Sequence, residues 1–563
     1  MHDTFQIIFG LLGGMAVFIF GMNMMSECLQ KAAGEKMKSI LALLTRNPAM
    51  GVLAGALSTA VLQSSSATTV MAIGFVSAGL MSLPQAISII LGANIGTTIT
   101  AQIIAFKLSD YIYLILFAGF AFTFLSKTEK AKNIGQTIFA FGLLFLGIET
   151  MGDVMKPLAA SPFFTDIIEK VADTPVLGVL AGTLMTFVVQ SSSATIAVLQ
   201  NFASQAGPDG VTSVLGLTGA IPILLGDNIG TTVTALLASI GQAKDAKRTA
   251  LAHCIFNISG CLLFIWFIKP FAAIIQWIST SGPEVEVISR QIANAHTAFN
   301  VIMTMIWTPL LPYMVKIVKG IVREGAAVPQ ELSVPQYLDS KLVTQPSAAL
   351  QLVGREVIRC ASITDELLKN ISQAVRANNS RLLDKIMEQS GQLRKLNEHI
   401  TEYLADLFSA GSMTEEQANG TARLMYLLGD LERIAFLGSE IADALQTKIE
   451  KKYKYSKDAM KDLEKCLSFI EKMYAESLQI MISGNMDGTQ KIMKKKEKVF
   501  ALNLDMRKAH MHRVSKGKCS AKLTTPFHNI LNTLDRLSNN CVNIADAVAE
   551  QADRSADFFG NIF

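Results

Sequence analysis

The string Gln63-Ser64-Ser65-Ser66-Ala67-Thr68-Thr69 stands inside apolar sequence and is written again 127 residues later as Gln190-Ser191-Ser192-Ser193-Ala194-Thr195-Ile196. The agreement reaches upstream: PAMGVLAGALSTAVL precedes the first copy and PVLGVLAGTLMTFVV the second. Each copy is followed by a second matched string, Gly92-Ala93-Asn94-Ile95-Gly96-Thr97-Thr98 and Gly226-Asp227-Asn228-Ile229-Gly230-Thr231-Thr232. Adjacent serine hydroxyls donate to oxygen anions, and a helix starting after them leaves backbone N–H groups without partners at the positive end of its dipole. The chemistry that fits is capture of a small oxyanion by Gln63, Ser64, Ser65 and Ser66 with Gln190, Ser191, Ser192 and Ser193. No Lys or Arg falls in the four strings, so compensating charge must come from cations. Hard cations take oxygen ligands, and Thr68, Asn94, Thr97, Thr98, Thr195, Asn228, Thr231 and Thr232 supply them, with the glutamine carbonyls and any carbonyls freed by a broken helix. Asp227, whose twin is Ala93, is the one acid among these strings. At membrane depth such a group costs about 3 kcal/mol to insert and is a functional candidate by default.

Positioning these groups requires a membrane. Of 563 residues half are hydrophobic, and the mean hydropathy is +0.37, too apolar for one soluble domain. Long apolar runs fill residues 5–320, while Lys, Glu and Asp crowd the remainder. Residues 324–349, polar and punctuated by Pro329, Pro335 and Pro346, read as a linker. Seven scattered cysteines with no metal-like spacing read as reduced thiols. The first apolar stretch lacks a basic leader and an A-x-A-like cut site, so it reads as a spanning helix rather than a signal peptide.

The expected fold is all-α. Residues 5–25 make a helix of about 31 Å, enough to span, followed by an amphipathic surface segment over 31–46. The two apolar arms around Gln63 to Ser66 are each about 22 Å long as helix, short of a hydrocarbon core of about 30 Å. A re-entrant hairpin with the serines at its tip resolves this. Residues 84–106 then read as a spanning helix broken at Gly92 to Thr98, and 111–125 as a short further span. The second unit repeats the order: 137–151, a surface segment over 153–173, a hairpin at Gln190 to Ser193, and a broken helix over 217–240. Residues 250–268 and 292–313 close the membrane part, with 271–280 too short to cross. The domains are thus 1–136 (first repeat), 137–323 (second repeat and closing helices), 324–349 (linker) and 350–563.

Three crossings in the first unit force the second to insert upside down. Charge placement agrees: Lys31, Lys36, Lys38, Arg46, Lys127, Lys130, Lys132, Lys244, Lys247, Arg248, Lys316, Lys319 and Arg323 fall on one side, and only Lys107, Lys156, Lys170, Lys269 and Arg290 on the other. The positive-inside rule makes the richer side cytoplasmic, which puts the N-terminus outside and the C-terminal domain in the cytoplasm of a multi-pass cell-membrane protein. Beyond residue 350 the apolar spacing is helical throughout, with six helices at 348–377, 380–409, 415–449, 456–483, 487–515 and 524–552. Leu431-Glu432-Arg433-Ile434 with Ile441-Ala442-Asp443-Ala444 recurs 103 residues later as Leu534-Asp535-Arg536-Leu537 with Ile544-Ala545-Asp546-Ala547, which suggests two three-helix bundles.

The doubled QSSS string with its GxNIGTT partner resembles the type II sodium/phosphate cotransporter family over about residues 5–315. The resemblance implies an inverted-repeat symporter in which the QSSS residues bind inorganic phosphate and neighbouring oxygens bind sodium, with sodium as a coupling ion and no cofactor. His253 with Phe256-Asn257, and His296 with Phe299-Asn300, resemble HxxFN strings of that family; no role is assigned to them. The C-terminal region is similar to the PhoU-like helical domain of bacterial members. PhoU proteins bind metal through paired carboxylates, but the corresponding strings here, Glu432…Phe436 and Asp535…Asn539, lack the second one, so no transition-metal site is expected. The implied partners are phosphate, sodium and the lipid bilayer, with no nucleic acid, and a cytoplasmic regulatory partner or self-association through the helical domain.

Three other functions compete: a phosphate-responsive sensor signalling through the helical domain, a transporter of another small oxyanion, and a membrane hydrolase using a motif serine. There is no G-x-S-x-G elbow and no duplicated base beside the serines, so an enzyme is not expected. Nor is there a G-x-x-x-x-G-K-[ST] string for ATP-driven pumping.

Overall fold

The computed structural model describes residues 2–42, 47–106, 108–159, 174–207, 209–323, 331–377, 379–410, 413–453, 455–483 and 488–549. They form helices with no strand beyond an isolated bridge between Ala206 and Ser213. The chain divides into two units, Met1–Gly325 and Ala326–Phe563.

In the first unit the helices are α1 (His2–Ala42), α2 (Pro48–Leu62), α3 (Ser65–Ser77), α4 (Leu83–Ile104), α5 (Ile112–Leu125), α6 (Glu129–Ala159), α7 (Pro175–Val189), α8 (Ser192–Ala203), α9 (Gly216–Gly230), α10 (Thr232–Ser239), α11 (Lys244–Phe264), α12 (Ile268–Ile278), α13 (Glu284–Trp307) and α14 (Leu311–Ile321). Four are long and apolar enough to cross a membrane, or up to six if each bent pair, α11 with α12 and α13 with α14, is one span. The lipid-facing character is visible on α7, where Val176, Leu180, Leu184 and Val188 are exposed at four-residue spacing. On α5, Tyr113, Leu114, Phe117, Phe120 and Phe124 are exposed in the same way.

Glycine stripes decide the packing. A Cβ on Gly92 would overlap the Val52 carbonyl oxygen and one on Gly55 the Ile89 carbonyl oxygen, so α2 and α4 touch backbone to backbone. The second copy does the same: Gly226 lies on Val179 and Gly182 on Ile223, between α9 and α7. Small residues are what allow such approach between membrane helices. Gly92→Val or Gly226→Val therefore forces the pair apart at about 3 kcal/mol or more. Size-exclusion chromatography in detergent is expected to show loss of the monodisperse peak for either variant and none for Gly13→Ala, since a Cβ on Gly13 meets nothing within 4 Å.

The opening helices of the two copies, α1 and α6, pack against each other in opposite directions: Gly10 faces Val154, Gly14 faces Met151 and Gly21 faces Leu144. Beneath the motifs, Leu83, Ile87 and Leu91 of α4, Ile221, Leu224 and Leu225 of α9, Phe256 of α11 and Ile292 and Phe299 of α13 share one core.

Several sequence expectations change. α1 continues as one helix to Ala42, so no separate surface element begins at 31. The surface segment expected at 153–173 starts inside α6, and 160–173 lie outside the described residues. Neither motif helix is unwound. α4 is continuous through Gly92 to Thr98, and Thr231 alone separates α9 from α10, with φ −62° and ψ −24°, while its N–H still donates to the Asp227 carbonyl. The glycines serve close contact instead of a break, and the hydroxyls of Thr98, Thr231 and Thr232 donate back to carbonyls three residues earlier. The closing spans begin earlier than expected and end in sharp bends of 93° and 83°. Thr308-Pro309 lies at the second bend: Thr308 is still helical at φ −60° and ψ −50° and donates its N–H to the Thr304 carbonyl, whereas Pro309 has no N–H with which to continue the ladder.

The second unit holds α15 (Pro346–Ala377), α16 (Ser380–Ser409), α17 (Glu415–Glu450), α18 (Lys457–Ser483), α19 (Thr489–Ser515) and α20 (Thr524–Ala549), close to the six expected; 550–552 lie outside the described residues. Of the segment expected as a linker, the part after Pro335 packs on this unit: the N–H groups of Gln336 and Tyr337 donate to buried Glu356, and Leu342 is buried. The recurrence 103 residues apart is a two-fold relation. Asn543 donates to Asp430, and Thr533 donates to Glu440, so α17 and α20 run antiparallel through their repeated strings.

Candidate functional site

The two QSSS strings adopt one geometry. Gln63 and Gln190 end α2 and α7 in the left-handed region, at φ 50° and 56°, a conformation that costs a non-glycine residue about 1 kcal/mol. Each glutamine Nε2 donates to the carbonyl three residues back, Ala60 or Phe187. Ser64 and Ser191 are extended and cap the next helices, their Oγ accepting from the N–H of Ala67 and Ala194. Their carbonyls accept from the N–H of Thr68 and Thr195. That leaves the first two amides of each helix, Ser65 and Ser66 on α3 and Ser192 and Ser193 on α8, without intrahelical partners. The capping serines are thus committed to the turn, while the hydroxyls of Ser65, Ser192 and Ser193 take no partner among the described residues.

The tips differ in their surroundings. Gln63 is buried and its Oε1 accepts from Thr100 of α4 at 3.0 Å, whereas Gln190 is exposed. Thr234, the twin of Thr100, donates instead across the copies to Ser66, at 3.1 Å. Among the described residues no hydrogen bond joins the two QSSS strings directly.

Behind each tip lies a threonine pair. Thr59 donates to Thr68 at 2.9 Å, and the twin hydroxyls of Thr186 and Thr195 lie 3.1 Å apart. Thr186 donates its one hydroxyl proton to Asp227 Oδ1 at 2.6 Å, and Asp227, fully buried, has no partner at Oδ2 among the described residues. Asp227, Thr186 and Thr195 therefore gather three oxygens that can face a cation; in the first copy Ala93 stands where Asp227 would. Thr97 is half-buried on α4 with no hydrogen-bond partner among the described residues. Asn94 and Asn228 are both buried, and their side-chain oxygens meet His253 Nε2 at 3.4 Å and His296 Nε2 at 3.2 Å.

A sodium/phosphate family model, described as Na+/Pi-cotransporter, matches residues 17–153 and again 153–280, and a PhoU domain model matches 357–445 and 463–548. Protein YqeW of Bacillus subtilis, an uncharacterized protein, is 33% identical over 293 residues, 52% of this chain and 91% of that one. This chain belongs to the Na+/Pi-cotransporter family. A Salmonella typhimurium protein named for inorganic phosphate export, YjbB, is 23% identical over 97% of this chain and 98% of its own length. Human sodium-dependent phosphate transport protein 2B is 36% identical over 144 residues, 23% of this chain and 19% of that one. No solved structure matches the chain.

Against this family frame, the sequence reading passed over Thr59, Thr186, Thr100 and Thr234. All four lie inside or beside the duplicated strings, so the duplication was the signal for them. It also left the closing helices unpaired. α11 with α12 and α13 with α14 are themselves two bent copies, each bringing its HxxFN string to one motif asparagine; the signal was the HxxFN string itself.

Proposed function

We propose that the protein is a secondary active transporter that couples sodium ions to the movement of inorganic phosphate across the plasma membrane. The observation that carries this reading is the matched pair of tips, each with a left-handed glutamine, a capping serine and a helix start whose first two amides and neighbouring hydroxyls are open to an oxyanion. Membership of the Na+/Pi-cotransporter family supports phosphate as that oxyanion and sodium as the coupling ion. In this reading Gln63, Ser65, Ser66, Gln190, Ser192 and Ser193 receive phosphate, with Ser64 and Ser191 holding the turns. Thr68, Thr195 and Asp227 belong to the cation side, along with Asn94, Asn228 and the Thr97/Thr98 and Thr231/Thr232 pairs.

An inverted arrangement of the two copies is supported by the antiparallel α1 and α6, since twin helices that cross side by side in opposite directions carry their copies through the bilayer with opposite orientation. The four short helices at the QSSS strings support re-entrant hairpins by their length. With the positive-inside rule, the N-terminus lies outside and residues 326–563 in the cytoplasm, where a PhoU domain would regulate flux or sense phosphate. Energetically, each net positive charge moved inward gains about 2.3 kcal/mol per 100 mV, and the name of the Salmonella relative favours testing efflux as well as uptake.

The test is labelled phosphate flux in proteoliposomes in both directions, with sodium or choline as the cation and with sulfate as a competing anion. Flux that follows the sodium gradient and resists sulfate is expected. Phosphate flux indifferent to sodium removes the coupling, and no phosphate flux in either direction removes the transporter reading.

A further inference from the structure

The cation side extends into the HxxFN strings. Asn257 and Asn300 each donate Nδ2 to the carbonyl of the histidine four residues earlier, at 3.1 Å and 3.0 Å. A carbonyl accepts only from the NH2 end of an amide, so both side-chain oxygens are fixed pointing away from that bond. Asn94 Nδ2 likewise donates to the Ile90 carbonyl at 2.8 Å, so its Oδ1 is the atom facing His253. The histidine must then carry its proton on Nε2, which makes Nδ1 an acceptor. Asn228 and His296 repeat the contact in the other copy.

Each cluster is therefore left with open acceptors: Asn257 Oδ1 and His253 Nδ1 in one, and Asn300 Oδ1 and His296 Nδ1 in the other. None has a hydrogen-bond partner among the described residues, and Asn94, Asn228, Asn257, Asn300 and the two histidines are all at most 3% exposed. A buried amide oxygen without a donor costs about 1–3 kcal/mol, and here the defect is built twice. An oxyanion needs donors, and against the four open acceptors these clusters leave one open donor, Asn228 Nδ2 in the second. A transition metal would want thiolates or several imidazoles, and among the described residues no group of three His, Cys, Asp or Glu is placed to hold one. A hard monovalent cation satisfies oxygen acceptors.

We infer that Asn257 and Asn300 are the principal oxygen ligands of two equivalent alkali-cation sites, one beside each motif helix, with His253 and His296 orienting Asn94 and Asn228 beside them. This rests on the sodium-coupled reading and adds to it: the threonine and Asp227 oxygens form a further site in one copy only, while these two are neutral and matched. Because neither motif helix is unwound, side-chain oxygens take the part that freed backbone carbonyls were expected to play.

The test is equilibrium binding of radioactive sodium to the full-length protein in detergent. Asn257→Leu and Asn300→Leu are each expected to weaken sodium binding about tenfold or more, with Asn257→Asp and Asn300→Asp keeping it. Sodium binding by both leucine variants as in wild type overturns the inference even where wild-type phosphate flux depends on sodium, and then the proposed function stands without it. Binding lost in the leucine variants beside a phosphate flux that ignores sodium leaves these sites in place and removes the coupling. If the leucine variants do not fold, cryo-electron microscopy of the wild type with thallium(I) decides: density beside Asn257 Oδ1 and Asn300 Oδ1 supports the sites, and its absence at both rejects them.

Discussion

Phosphate affinity in the Ser65→Ala, Ser192→Ala double variant is expected to fall by about two orders of magnitude or more, while the protein keeps its fold. Each hydroxyl donates to a charged oxygen in this reading, and such a bond contributes about 1.5–3 kcal/mol, so two lost donors add to at least that effect. Neither serine caps a helix: that task belongs to Ser64 and Ser191. Replacing the caps should behave differently, lowering stability by about 1 kcal/mol per cap through the turn. The measurement is uptake against phosphate concentration at saturating sodium, beside melting temperature. An unchanged half-saturation in the double variant removes the serines from the binding site.

Asp227→Asn gives the second large effect, on the cation rather than the anion. Asp227 is fully buried, with one oxygen on Thr186 and the other without a partner among the described residues. Losing its charge from a cation site weakens that site by about a hundredfold, while relieving a membrane-inserted acid that costs about 3 kcal/mol. The variant should therefore be at least as stable as wild type yet need far more sodium for half-maximal flux and move a different net charge per cycle. Currents from proteoliposomes together with sodium titrations read both. If sodium dependence and transported charge stay as in wild type, Asp227 is a structural acid hydrogen-bonded to Thr186 and nothing more.

The second unit offers less to argue from. Its two-fold pairing of α17 and α20 runs through Asn543–Asp430 and Thr533–Glu440, equivalent contacts between twin positions of the repeat.

What the sequence alone determined is whatever repeats or follows a local period. The duplicated QSSS and GxNIGTT strings located the candidate site, the capping serines marked where α3 and α8 begin, and helical spacing placed all six helices of the second unit near their ends. These are short-range properties, written in neighbouring residues. Tertiary structure decided the rest, because the deciding contacts join residues that are far apart in the chain. Glycines that look like helix breakers became contact faces once another helix lay against them, keeping α4 whole. Gln63 is buried and Gln190 exposed although their strings match, and Thr100 bonds Gln63 while its twin Thr234 bonds Ser66 in the other copy. The pairing of His253 with Asn94 and of His296 with Asn228 spans 159 and 68 residues, so only packing of α11 and α13 onto the motif helices could bring it about.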